Sequence, residues 1–102
     1  MEIIRGTTPT LIFTFKEIQP NRISACYMLI KQRGQIIVQK TLRDSVISNG
    51  GLGFTLTQSD TLSLTTNSPA QVMLDWKTID GVRGRSNIYE CSVKVAGIDN
   101  EY

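Results

Sequence analysis

With 102 residues, 40% of them hydrophobic and 20% charged, the chain has the composition of one folded domain (residues 1–102) rather than of a disordered segment. Its 11 basic and 9 acidic residues leave a net charge of +2 spread along the chain, which argues against a polyanion partner. Histidine is absent, so the commonest general base and the commonest metal ligand are both missing.

The opening "MEIIRG" has no basic region leading into a long apolar stretch, so no export signal is expected and a soluble, cytoplasmic protein is the default. Glu2 to Arg5 predicts a short edge strand, held by few residues and cheap to detach. Gly6-Thr7-Thr8 reads as a bend, and Pro9, which has no N–H, belongs at the start or edge of the strand that follows. In "TLIFTF" (10–15) Leu11, Phe13 and Phe15 share one face and Thr10 and Thr14 the other. The bend would let one N-terminal segment pair with two different sheets.

Residues 22–32 and 35–42 predict two strands joined by Arg33-Gly34, a two-residue hairpin signal. The run "ISACYMLI" (23–30) is far too short to span a bilayer. Tyr27 and its neighbours make both faces of that strand apolar, so it is either central and covered on both sides or exposed at a subunit contact. A weaker strand over 43–48 would continue the previous one around a bend at Asp44. Asn49-Gly50-Gly51 then turns into 52–57, where Leu52, Phe54 and Leu56 share a face.

Period two breaks only in 57–64. Thr57 followed three residues later by Asp60 resembles a capping box and predicts a single helical turn crossing between sheets. Residues 70–78 alternate, with Val72, Leu74 and Trp76 inward and Gln71, Asp75 and Lys77 outward. Asp80-Gly81 is a turn, and "GVRGRS" (81–86) reads as a solvated hairpin loop. In 87–95 Tyr89, Cys91, Val93 and Val95 would face in. About seven short strands and one helical turn indicate an all-β, single-domain antiparallel sandwich of immunoglobulin-like character. The predicted core is Leu11, Phe13, Phe15, Phe54, Leu74, Trp76, Cys91 and Val93.

Cys26 and Cys91, with Tyr89 two residues before the second, resemble the disulfide framework of an immunoglobulin domain. The tryptophan of that framework should follow the first cysteine closely, whereas Trp76 comes fifty residues later, and two reduced, buried thiols are expected instead. The carboxylates fall mostly in turns or on outward positions, no base is available to activate a serine or threonine, and no phosphate-binding glycine pattern occurs. A non-enzymatic protein without cofactor or metal is expected. Arg83 and Arg85, two apart and flanked by glycines, are weak anion-contact candidates. A nucleic-acid footprint would add more cations and stacking aromatics, so nucleic acid is not an expected partner.

Four motifs run the length of the chain: R-G-T-T-P (Arg5 to Pro9), K-Q-x-G (Lys31 to Gly34), L-T-Q-x-x-T-L (Leu56 to Leu62) and D-G-x-x-x-x-S (Asp80 to Ser86). With them the chain resembles a group of small proteins encoded by tailed bacteriophages and prophages, mainly of Firmicutes. The resemblance implies a virion or assembly component of the tail, baseplate or head-to-tail connector. Such a component would sit in the virion, or in the host cytoplasm during assembly, and contact other virion proteins and copies of itself but no membrane. The expected protein interface is Glu2, Ile3, Ile4 and Arg5 together with Tyr27 and Leu29. The alternative is a monomeric ligand- or carbohydrate-binding sandwich module.

Overall fold

Two consecutive strands, β1 (Glu2–Ile4) and β2 (Thr10–Thr14), enter different sheets of the computed structural model, which describes residues 1–48 and 50–102. The bend between them needs Gly6, whose φ of +83° is costly for a residue with a β-carbon. Thr61, fully buried, pins this bend: its Oγ1 accepts from Gly6 N–H and donates to the Thr7 carbonyl, both at 2.9 Å.

The other described strands are β3 (Ile23–Gln32), β4 (Gln35–Thr41), β5 (Ser45–Ser48), β6 (Gly51–Thr55), β7 (Ala70–Thr78), β8 (Arg83–Arg85) and β9 (Tyr89–Lys94). One sheet has the order β1-β9-β7-β3-β4, with β8 also paired to β7; the other has the order β2-β6-β5. The architecture is an all-β sandwich. It is antiparallel except where β1 runs parallel to β9, matching Ile3 with Val93. The β3–β4 hairpin turns on Arg33 (φ 53°) and Gly34 (φ 78°), the positive pair that a two-residue turn requires.

Helix α1 (Gln58–Leu62) crosses from β6 to β7 where the capping box places it. The Thr57 side chain accepts from Asp60 N–H at 3.0 Å, and Thr57 N–H donates to Asp60 Oδ2 at 2.8 Å. Two further single turns of 3-10 helix, Pro20–Arg22 and Leu42–Asp44, escape the alternation analysis. The second uses its own capping box, Thr41 with Asp44, to carry the chain from β4 into β5 on the opposite sheet. Residues 43–48 therefore do not prolong β4. Of the predicted turn at 49–51, residue 49 lies outside the described residues.

Cys26, Met28, Ile30, Val72, Leu74, Cys91 and Val93 of the large sheet meet Leu11, Phe13, Leu52 and Phe54 of the small one. Phe13 and Phe54 pack edge to face with centroids 6.0 Å apart. Phe15 and Trp76, assigned to the core from alternation, are only partly buried and pair edge to face at 5.8 Å near the rim. Tyr89 and Val95 are half exposed, so the inward assignment holds for Cys91 and Val93 alone. Burial raises the pKa of both free thiols, that of Cys26 to about 11. They stand in one sheet with β7 between their strands, roughly 10 Å apart or more, beyond the reach of a disulfide.

Candidate functional site

The candidate residues fall in two separate places. Glu2 to Arg5 form β1 and its exit, at one edge of the large sheet. This strand is not loosely attached. Ile3 is fully buried, and Arg5 donates to Asp99 Oδ2 at 2.5 Å and to the Leu62 carbonyl at 2.8 Å. Glu2 is exposed and Ile4 half-buried.

Tyr27, Leu29, Arg83 and Arg85 lie on the outward face of the large sheet. β3 is central in position, flanked by β7 and β4, yet its outer face stays open at Tyr27, which is 50% exposed, while Leu29 is half-buried beside Met73. The segment read as a solvated loop is in fact β8, which sets Arg85 opposite Asp75 and Arg83 opposite Lys77. Arg85 Nε donates to Asp75 Oδ1 at 2.6 Å, so that guanidinium already has its anion. Arg83 is exposed and has no ion-pair partner among the described residues.

The alternation missed β8 because its inward position is glycine. The Trp76 ring lies where a β-carbon on Gly84 would stand, and no side chain fits there. Between β8 and β9 the register along β7 slips by one residue. Ser86 repairs the ladder at this point: its N–H donates to the Leu74 carbonyl and its Oγ accepts from Leu74 N–H, both at 2.8 Å.

A cleft of about 530 Å³ opens where the three-stranded sheet stops at β2 and the larger sheet continues beneath it. Leu11, Phe13, Phe15, Trp76 and Tyr89 line it, together with Met1, Ser86 and Asn87. One wall is the free edge of β2. The Leu56 N–H donates to the Pro9 carbonyl, and Leu11 and Phe13 stand opposite Phe54 and Leu52. The odd-numbered residues therefore bond to β6, and the N–H and C=O groups of Thr10, Ile12 and Thr14 point away from it.

Among the described residues, no three His, Cys, Asp or Glu side chains gather as a metal ion requires, and no helix is long and apolar enough to cross a membrane. No protein-family model matches the chain, and no curated protein matches it.

Proposed function

We propose that this chain is a non-enzymatic assembly component of a phage virion, working through protein–protein contacts that include copies of itself. One observation carries the protein-contact part of this reading: the outward face of the small sheet has no charge. β2 contributes Thr10, Ile12 and Thr14, β6 contributes Gly51, Gly53 and Thr55, and β5 contributes Val46 and Ser48. Ile12 and Val46, both opposite Gly53, are 46% and 70% exposed. Strand edges exposed to water are ordinarily blunted by charges, and β2 and β5 carry none. The virion assignment rests on the resemblance of the four motifs to those of small phage proteins. The order β2-β6-β5 facing β9-β7-β3-β4 supports the immunoglobulin-like variant of the sandwich.

Sedimentation equilibrium up to about millimolar concentration tests the self-contact, which should bury roughly 1,200–2,000 Å² if specific. The expected result is a concentration-dependent oligomer that Val46→Lys weakens without changing the denaturation midpoint. A monomer throughout sinks self-assembly. Mass spectrometry of purified particles tests the location, and absence of the chain from them sinks the virion assignment.

A further inference from the structure

The cleft beside β2 has the form of an open strand position, and we propose that it receives an extended strand from another protein, added antiparallel to β2. This rests on the assembly reading above and names the kind of partner.

Three observations converge on it. The first is hydrogen bonding: Thr10, Ile12 and Thr14 present a ladder of outward N–H and C=O groups, the chemistry that an added strand satisfies. The second is the floor. An added strand would turn every second side chain inward, over Phe15, Trp76, Tyr89 and Met1, all apolar or aromatic. Tyr89 is half exposed because the small sheet ends before reaching it.

The third is charge. No residue from Thr7 to Phe15 is charged, and Arg85, the one charged side chain lining the cleft, is engaged by Asp75. The matching strand is therefore neutral over about five residues, the length of β2, with apolar side chains at alternate positions. Among the described residues, neither terminal segment is free to serve as that strand. β1 is docked through Ile3, and residues 95–102 carry Glu101 and an Asp99 already bonded to Arg5. The donor is accordingly a different protein.

A tethered probe tests the slot itself. Met1 lines the cleft, and β1 runs opposite to β2, so residues added ahead of Met1 enter in the required direction. The probe is the segment Thr-Val-Thr-Val-Thr-Val-Thr joined to Met1 through three glycines, which gives an effective concentration in the millimolar range. Amide hydrogen exchange is compared with that of the unextended chain. The expected result is at least about tenfold slower exchange at Thr10, Ile12 and Thr14, lost when the valines are replaced by aspartates. Unchanged exchange at those three amides overturns the proposal, and so does slowing confined to the β1 or β5 edge. Sedimentation of the unextended chain reports on self-assembly separately, so the two ideas can fail independently.

Discussion

The indole ring of Trp76 occupies the space in which a β-carbon on residue 84 would stand, so Gly84 is set by its cross-strand neighbour. Its backbone needs no unusual conformation; only the room is missing. Gly84→Ala should force the ring toward the cleft and cost about 1–3 kcal/mol, the usual range for overpacking. Chemical denaturation reads the cost, and a shifted tryptophan emission maximum reads the displacement. An unchanged midpoint would show that β8 yields freely.

Gln32 is the only buried amide side chain among the described residues, and it holds the end of β3 to the loop before β7. Its Nε2 donates to the carbonyls of Thr65 and Ser68, and its Oε1 accepts from Thr65 N–H, all at 2.9 Å. Gln32→Leu keeps the bulk but removes the side-chain partner of three part-buried backbone groups. A loss of about 2–4 kcal/mol is expected, since each buried unpaired group costs roughly 1–3 kcal/mol where water cannot reach it. A loss under about 0.5 kcal/mol would mean that water replaces the amide there.

Asp60 gives a pH dependence. Burial opposes its ionisation, but hydrogen bonds from Lys40 and from the backbone and side chain of Thr57, with the Lys40 charge, hold its carboxyl below the ordinary value of 3.8. A lowered carboxyl pKa adds stability above the unfolded value, lost as pH falls through the folded one. Asp60→Asn should therefore be less stable than the parent by about 1 kcal/mol at neutral pH. The gap should close below about pH 4. Denaturation midpoints of both proteins from pH 7 to pH 3 check the sign.

The thiols should be silent in the folded protein. With its pKa near 11, Cys26 is about one part in a thousand thiolate at pH 8. Burial raises Cys91 as well, although the charged N-terminus works against that rise. A disulfide-exchange reagent should count two thiols per chain in denaturant and react at least about a hundredfold more slowly without it. Fast reaction of the native protein at either site would place that cysteine at the surface.

Most of the fold was legible because local chemistry marked it. Gly6 and Pro9 announced the bend between sheets, Thr57 with Asp60 announced α1, and Arg33-Gly34 announced a hairpin. Each signal lies within a few residues of the feature it creates. β8 was not legible because Arg83-Gly84-Arg85 shows no apolar alternation; its inward partner is the Trp76 ring across the ladder. Gln32 ends a predicted strand with no local mark of its burial, though it shares the parity of the inward Cys26, Met28 and Ile30. The Arg5–Asp99 pair joins residues 94 positions apart, and nothing local to either announces it. The cleft is invisible for a related reason: it arises from unequal sheet widths, a property of topology and not of any motif.

Matching Ile3 with Val93 has a consequence for the order of events in the cell. β2 can find β6 once about half of the chain has been translated, but β1 has no partner until residues 92–94 leave the ribosome. Closing so long a loop is entropically expensive and comes late. Until then Ile3 stays in water and the bend at Gly6 holds only one of its two strands. The same match makes the two ends of the domain one structural unit, so a protease that removes residues 92–102 also sets β1 free.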